Sequence, residues 1–177
     1  PTAVVGLTLY KLIKTMLLGN ITVTILALFI GGIVMIILEK IYTEQPKHLD
    51  NIENLSYTNT FLVGIVQSIS IIPGVSRAAA TIMGGMFLGL KRTSATEFSF
   101  LLAIPTMFAA TSLDLVKNYQ VLLESDLIIL AVGFTGSFIT ALFTVKFLIK
   151  YVSGHSFIAF GVYRIILSIV FFLFFTS

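Results

Sequence analysis

The sequence predicts an all-α integral membrane protein, a multi-span helical bundle with a re-entrant helical hairpin, and three observations support this class. Hydrophobic residues make up 57% of the 177 residues and charged residues only 11%, whereas soluble domains carry roughly a quarter of charged residues. The apolar residues are gathered into long uncharged segments separated by polar connections. One apolar segment is interrupted by Pro73-Gly74-Val75-Ser76-Arg77. A soluble fold of this composition would expose large apolar patches to water.

The composition also excludes several functional classes. Because the chain has no cysteine, disulfide bonds, thiolate zinc sites and cysteine nucleophiles are ruled out. The net charge of +3 is small and scattered along the sequence, which argues against a nucleic acid partner. Membrane lipids are therefore the expected surroundings, and one membrane domain over residues 1–177 is expected at this length.

The first elements are an incomplete span, a full span and a polar loop. Pro1 to Tyr10 is interpreted as the tail of a further span, and Ile21 to Leu38 is a full span without charge. A bilayer core about 30 Å thick needs roughly 20 helical residues to cross it, so the second of these segments qualifies. Residues 39–56 follow it, are rich in charge and are expected to form a cytoplasmic loop.

Residues 57–90 are predicted to form the re-entrant hairpin. Its two apolar helices, Tyr57 to Ile72 and Ala78 to Leu90, would be about 24 Å and about 20 Å long, and neither crosses the bilayer comfortably. Pro73 and Gly74 stop the first helix and permit a sharp turn. Non-helical backbone at membrane depth persists only where protein or a water-filled cavity satisfies its polar groups. The break therefore predicts a site inside the protein.

Three further transmembrane helices are predicted over residues 97–117, 126–149 and 156–175. Ser94 to Glu97 fits a capping box in which Ser94 is the N-cap of the first of these helices.

The basic residues give an independent prediction of topology. With a hairpin at residues 57–90, one side of the membrane collects Lys40, Lys47, Lys91, Arg92, Lys146 and Lys150. The opposite side keeps Lys117, and its other candidates are Lys11 and Lys14. The positive-inside rule then places the larger group in the cytoplasm and the C-terminus outside.

The segment around the turn is predicted to carry the chemistry. Ala78-Ala79-Ala80 is a strong helix start, so the next helix should begin at Ser76 or Arg77, with free amides and its positive dipole end facing the turn. Arg77 and Thr81 lie four residues apart on one helix face. A guanidinium fork suits phosphate oxygens. The pattern predicts a phosphate site at membrane depth built from Gly74, Ser76, Arg77 and Thr81.

Each of these residues also has a structural interpretation. Arg77 could snorkel or pair with a buried acid while Ser76 only caps the helix, although intramembrane charges are expensive and usually functional. Gln67 could point toward the site, as a supporting residue, or simply hydrogen-bond the neighbouring hairpin as a buried amide. Arg164 could support the site or pair with Asp114.

Residues 73–81, Pro-Gly-Val-Ser-Arg-Ala-Ala-Ala-Thr, resemble the Pro-Gly-x-Ser-Arg-Ser-x-x-Thr signature of undecaprenyl-diphosphate phosphatases, the bacitracin-resistance family. The resemblance extends over nearly the whole chain, through Gly84-Gly85-Met86, residues 94–105, Leu113-Asp114-Leu115 and residues 160–164.

The resemblance implies that a polyprenyl diphosphate lipid is the substrate. The implied reaction is hydrolysis of undecaprenyl diphosphate to undecaprenyl phosphate and inorganic phosphate in the bacterial inner membrane, which recycles the lipid carrier for peptidoglycan synthesis and confers bacitracin resistance. Ser76, Arg77 and Thr81 would hold the diphosphate, with Ser76 and Arg77 catalytic. Arg77 would neutralise charge that develops on the transferred phosphoryl group. The implied fold has two inverted repeats, each with a hairpin, and residues 1–38 would end the first.

Two departures from the family pattern limit this interpretation. Ala78 stands where the family usually has a second Ser, and the family's other signature, an acidic pair followed by a Ser-rich turn and a His, does not occur here. Neither His48 nor His155 lies in a matching context, and both are expected in solvated loops. The chain is interpreted as the C-terminal portion of the enzyme, inactive alone. No cofactor or metal site is predicted in this chain; a need for Mg²⁺ or Ca²⁺ in the full enzyme, and a homodimer, stay open.

Two other functions fit parts of the pattern. A transporter or lipid flippase would also use broken helices and inverted repeats around a midplane site. Acid-phosphatase-like lipid phosphatases also use Ser-Arg motifs, but they need a His after the Arg, and none follows Arg77 at a suitable distance.

Overall fold

The structure, a computed structural model, describes residues 1–9, 12–17, 19–120 and 127–175. Within these ranges it contains helices and no strand. The α-helices are α1 (Thr2–Thr8), α2 (Ile21–Ile41), α3 (Tyr57–Ser68), α4 (Arg77–Phe87), α5 (Arg92–Lys117), α6 (Leu127–Gly154) and α7 (Ile158–Phe175). A π-helical turn covers Ile13–Leu17, and 3₁₀ turns cover Ile52–Asn54 and Ile69–Ile71.

Four of these helices, α2, α5, α6 and α7, are long and apolar enough to cross a membrane. Most of their large apolar side chains are exposed in the isolated chain, which is the expected state of a surface that faces lipid. The predicted all-α membrane bundle is therefore confirmed.

Helix α5 begins at Arg92, so the predicted capping box at Ser94 to Glu97 is wrong. The amide of Arg92 donates to the Glu44 carboxylate at 3.2 Å, so a loop residue far away in sequence supplies the partner that a local cap would have given. The Ser94 hydroxyl instead donates to the Asp50 carbonyl at 2.6 Å. The other predicted spans differ from α6 and α7 by a few residues at their ends.

Parts of three predictions fall outside the described residues. Tyr10, at the end of the predicted tail, and Lys11, assigned to the outer side, lie there. Nothing is described of the Lys14 side chain or of residue 126, where a span was expected to begin.

Helices α2 and α7 pack closely along their length. A Cβ atom added to Gly32 would lie 2.7 Å from the Gly161 carbonyl oxygen, and one added to Gly161 would lie 2.6 Å from the Ile36 side chain. Small residues allow helix backbones to approach in this way in membranes. This pair forms one side of the bundle, and α3, α4 and α5 form the other.

Helices α3 and α4 form a helix–turn–helix pair whose two ends meet. The Leu49 amide donates to the Gly89 carbonyl at 2.8 Å, and the Lys91 amide donates to the Leu49 carbonyl at 3.1 Å. Lys91 also pairs with Asp50 at 2.8 Å. The chain therefore leaves and returns at one end, as a hairpin requires, and α3 is only about 18 Å long at 1.5 Å per residue. That the pair dips into a bilayer stays a prediction.

We call the end where the hairpin begins and returns its base, and define it as residues 39–56 and 87–92. The main apolar core lies beside the base and includes Met35, Tyr42, Leu55, Ile82, Met83, Met86, Leu90, Ala95, Val152 and Phe157. This core joins α2, α4, α5, the end of α6 at Val152 and the α6–α7 connection at Phe157, so the base is the well-packed end of the hairpin. We call the opposite end, residues 72–77, the tip.

Candidate functional site

The tip owes its shape to one glycine and one serine. Gly74 has φ of +93°, in the left-handed region that favours glycine. A side chain at this position would also run into the Thr24 carbonyl and the Ala27 side chain of α2. Ser76 is the N-cap of α4, and its hydroxyl accepts a hydrogen bond from the Ala79 amide at 3.2 Å. The helix begins at Arg77, which confirms the predicted helix start.

This helix start leaves donors available at the tip. The Ala80 amide donates to the Ser76 carbonyl at 3.0 Å, and Ser76 caps Ala79, but the hydrogen bonds of the described residues give the amides of Arg77 and Ala78 no acceptor. The first amides of a helix and its dipole favour an anion at this place. The backbone at the tip therefore has the chemistry of a phosphate cradle.

Arg77 is held by α5 without losing its charge. Its Nη1 donates to the Ser99 carbonyl at 3.2 Å, and the side chain is half-buried. Neither ion pair found among the described residues involves Arg77. The alternative in which Arg77 pairs with a buried acid thus gains no support from the part of the chain that is described. A guanidinium fixed on one edge by a carbonyl can still offer its other donors to an anion.

Thr81 lies one turn behind Arg77 but is turned away from the tip. The side chain is fully buried. Its hydroxyl contacts the Arg77 carbonyl at 3.0 Å, the Ala78 carbonyl at 3.1 Å and the Ser99 hydroxyl at 2.5 Å. In this arrangement Thr81 ties α4 to α5, and its predicted direct contact with phosphate stays a prediction.

Ser99 is the residue that sequence reasoning missed. Its carbonyl accepts from Arg77 and its hydroxyl contacts Thr81, so one buried residue of α5 touches both. The available signal was its polar side chain between Phe98 and Phe100 in an otherwise apolar segment. That signal says nothing about which helix Ser99 would face.

Gln67 lies on α3 and is directed toward α1. Its Nε2 donates to the Thr2 hydroxyl at 3.0 Å, and Thr2 donates in turn to the Gly64 carbonyl at 3.2 Å. The side chain is buried, and Oε1 has no partner among the described atoms. The structure therefore shows a buried, bonded amide, but its partner lies on α1 and not on a neighbouring hairpin, and a role for Gln67 at the site stays untested.

Arg164 reaches the tip from α7. Its Nη2 donates to the Gly74 carbonyl at 2.7 Å and lies 3.4 Å from the Ala27 carbonyl of α2. The side chain is only 9% exposed. It passes over Gly31, where a Cβ atom would lie 2.6 Å from Nη2. Of the two alternatives for Arg164, the structure shows the contact with the hairpin tip rather than a pair with Asp114.

The two histidines lie away from the tip. His48 lies at the base, where its Nδ1 is 3.1 Å from the Tyr42 hydroxyl. His155 is exposed, and its ring stacks on Tyr151 with the centroids 4.2 Å apart.

Comparison with known proteins shows which family this chain belongs to. The family model described as "Bacitracin resistance protein BacA" matches residues 1–170. The chain belongs to the BacA family.

Relatives of this BacA family member carry the name undecaprenyl-diphosphatase. The protein from Aquifex aeolicus is 47% identical over 175 residues, which cover 99% of this chain and 68% of the relative. The protein from Persephonella marina is 47% identical over 174 residues, and the one from Methanococcus aeolicus is 41% identical over 175 residues. They cover 98% and 99% of this chain, respectively, and 68% of each relative. The chain thus spans about two thirds of the length of each relative.

The donors at the tip do not fit a divalent cation by themselves. Mg²⁺ and Ca²⁺ prefer carboxylates, carbonyls and water, whereas the tip presents guanidinium groups, amides and a hydroxyl. Among the described residues no group of three or more His, Cys, Asp or Glu side chains could hold a metal ion. A metal requirement of the full enzyme stays a prediction, and no step below depends on it.

Proposed function

We propose that this chain supplies the diphosphate-binding hairpin of an enzyme that hydrolyses undecaprenyl diphosphate to undecaprenyl phosphate and inorganic phosphate. The reaction recycles the lipid carrier for peptidoglycan synthesis, and it accounts for bacitracin resistance in the BacA family. The observation that carries the proposal is the 41 to 47% identity, over nearly the whole chain, to proteins named undecaprenyl-diphosphatase.

The geometry of the tip supports a role for it in binding and charge stabilisation. Hydrolysis breaks the bond between the terminal phosphorus and the bridging oxygen, and water supplies the new P–O bond. Negative charge on the phosphoryl oxygens must be stabilised as this bond breaks, and catalysis of phosphoryl transfer rests largely on such stabilisation and on positioning. The amides of Arg77 and Ala78 and the Arg77 guanidinium would supply it. The Ser76 hydroxyl lies beside them and would orient the terminal phosphate.

Arg164 would act on the same site through the backbone. By holding the Gly74 carbonyl, it fixes the turn that precedes the amides of Arg77 and Ala78. It is therefore a proposed positioning residue, whereas Arg77 is the residue proposed to contact the substrate.

The test is phosphate release from undecaprenyl diphosphate in bilayer nanodiscs. Two proteins would be compared: the chain alone, and the chain joined to the segment of the Aquifex aeolicus relative that lies outside the match, called here the joined protein. We expect the joined protein to release phosphate. Failure of the well-folded joined protein to release phosphate above background would overturn the proposal. Movement of the lipid across a vesicle bilayer without hydrolysis would favour the transporter alternative.

A further inference from the structure

A groove runs along the surface of the bundle between α2 and α7. It has a volume of about 210 Å³ and is lined by Ile25, Leu26, Phe29, Ser168, Ile169 and Phe172. Ile25 and Ser168 are buried and form its floor, while Leu26, Ile169 and Phe172 are about half exposed and form its rim. The groove therefore opens on the exposed surface of the α2–α7 pair.

The described residues that line this groove are apolar except Ser168, whose hydroxyl is bonded within its own helix. This hydroxyl donates to the Ile165 carbonyl at 2.7 Å. Among the described residues, no charged side chain lines the groove. A hydrocarbon chain fits such a surface, whereas a phosphate or sugar would lose its hydration there without compensation.

The position of the groove is what distinguishes it from an ordinary lipid-facing surface. The hairpin tip touches α2 at Thr24 and Ala27, on the same two helical turns that carry Ile25, Leu26 and Phe29. On α7, Arg164 donates to the Gly74 carbonyl, and Ser168 follows it by four residues on the same face. The groove therefore begins where the phosphate site ends.

From Ser168 to Phe172 the groove follows α7 for about 6 Å at 1.5 Å per residue. A lipid whose diphosphate sits at the tip must direct its tail away from the amides and guanidinium groups. The groove is an apolar path that leads away from them and toward the bilayer.

We propose that this groove binds the isoprenoid units of the substrate that lie nearest its diphosphate, leaving the rest of the tail in the bilayer. The inference rests on the proposed function, because it takes the ligand to be a lipid diphosphate. It adds a specificity element: the groove would select ligands that join an anionic head to a hydrocarbon tail.

The chain contains no tryptophan, which allows a single-tryptophan test. Phe172→Trp places the reporter in the groove, and Phe174→Trp is the matched control. Phe174 is on the same helix but does not line the groove and is 80% exposed. Both are conservative aromatic changes at exposed positions, and circular dichroism in nanodiscs would check the fold. The probe is a farnesyl diphosphate analogue brominated in its tail, because bromine quenches tryptophan fluorescence on contact.

We expect saturable quenching of Phe172→Trp and only weak, linear quenching of Phe174→Trp. The brominated alcohol that lacks the diphosphate should need about a tenfold higher concentration or more, because it forgoes charge-assisted hydrogen bonds at the tip. Arg77→Lys in the Phe172→Trp protein should weaken quenching by the diphosphate and leave quenching by the alcohol unchanged.

Three outcomes would overturn the inference. They are equal quenching of the two reporters, no quenching of either, or quenching of Phe172→Trp at the same concentration by the diphosphate and by the alcohol. The first and third would make the groove an ordinary lipid contact. Phosphate release by the joined protein is measured separately. If quenching is saturable and depends on the head group but no phosphate is released, the tail-binding groove is supported and the proposed hydrolysis is overturned. If phosphate is released but no quenching occurs, the hydrolysis is supported and the tail-binding groove is overturned.

Discussion

The two ends of the α3–α4 hairpin use arginine in opposite ways. At the base, Arg92 pairs with the Glu39 carboxylate at 2.5 Å, and its guanidinium lies 5.6 Å from the centroid of the Tyr42 ring. At the tip, the hydrogen bonds of Arg77 and Arg164 within the described part of the chain go to neutral carbonyl oxygens. The charge at the base is neutralised by a partner from α2, whereas no carboxylate of the described residues pairs with either arginine at the tip.

Because of this difference, we expect the base to contribute to stability and the tip to bind an anion. The base adjoins the main apolar core, and its carboxylate is only 2% exposed. The tip is half-buried, and several of its donors have no acceptor among the described residues. An arginine that is paired with a carboxylate attracts a phosphate weakly, because the two charges largely cancel. An arginine that is bound to neutral carbonyls still produces a positive potential that attracts a phosphate. We therefore expect substitutions at the tip to change activity and substitutions at the base to change stability.

The largest expected effect is at the tip. Arg77→Lys in the joined protein should lower phosphate release about 100- to 1,000-fold, the usual loss when one donor to a developing oxyanion is removed. Lysine keeps the charge but loses the planar fork of donors. The midpoint of thermal unfolding should change little. Release within a few-fold of the unchanged protein would remove Arg77 from the phosphate site.

The next effect belongs to the base. Glu39→Ala leaves Arg92 without its carboxylate partner, and loss of one member of a buried pair costs roughly 3 kcal/mol. We expect the free energy of unfolding in a detergent titration to fall by about this amount. Glu53→Ala is the matched control, because Glu53 is exposed in the same loop. We expect it to change stability by less than about 0.5 kcal/mol.

A double variant sharpens this prediction. Glu39 Oε2 and Arg92 Nε are buried without hydrogen-bond partners among the described atoms, so the pair is incompletely satisfied. Replacing both residues by leucine should therefore recover most of the stability lost in Glu39→Ala, as buried pairs often tolerate apolar replacement. If the double variant is instead less stable than Glu39→Ala, the pair contributes more than its desolvation costs, and the distinction between base and tip weakens.

A smaller effect is expected from displacing Arg164. Arg164→Lys removes the contact with the Gly74 carbonyl, and a hydrogen bond from a charged group is worth about 1.5 kcal/mol or more. This corresponds to about a tenfold loss of kcat if the tip is no longer held in place. Gly31→Ala should have a similar effect without removing the charge, because its Cβ atom would push Nη2 away.

The measurement is kcat and KM for the joined protein, together with its unfolding midpoint. A positioning role predicts that kcat falls while KM changes less. If Gly31→Ala lowers the unfolding midpoint and leaves kcat intact, Arg164 serves packing alone.

The sequence predicted the tip better than it predicted the base, and the reason is physical. The tip is local: Pro73, Gly74 and Ser76 act on backbone within a few residues, so the turn and the helix start at Arg77 could be deduced from composition. The base depends on partners more than forty residues apart, such as Glu44 and the amide of Arg92. A capping box at Ser94 was locally reasonable, yet a carboxylate from another loop displaced it. Ser99 and the direction of Gln67 escaped prediction for the same reason, since both depend on which helices pack together.

The smallest expected effect concerns Tyr42, which connects the loop to the hairpin at the base. Its hydroxyl donates to the Leu90 carbonyl at 3.2 Å. Burial, and then the nearby Glu44 carboxylate, raise the pKa of Tyr42 to about 12 from its ordinary value of 10.0. Because the folded state has the higher pKa, the contribution of this tyrosine to stability is complete below pH 10 and is lost as the pH rises toward 12.

Tyr42→Phe should therefore cost about 1 kcal/mol at neutral pH, and the difference from the unchanged protein should shrink above pH 10. Tyr57→Phe is the control, because Tyr57 is 96% exposed and should show neither effect. Free energies of unfolding measured at several pH values for the three proteins would check this. Other groups that titrate in the same range cancel in the difference between the unchanged protein and Tyr42→Phe. A difference that stays constant through pH 12 would mean that the Tyr42 hydroxyl is not held at the base, and that apolar packing alone joins the loop to the hairpin.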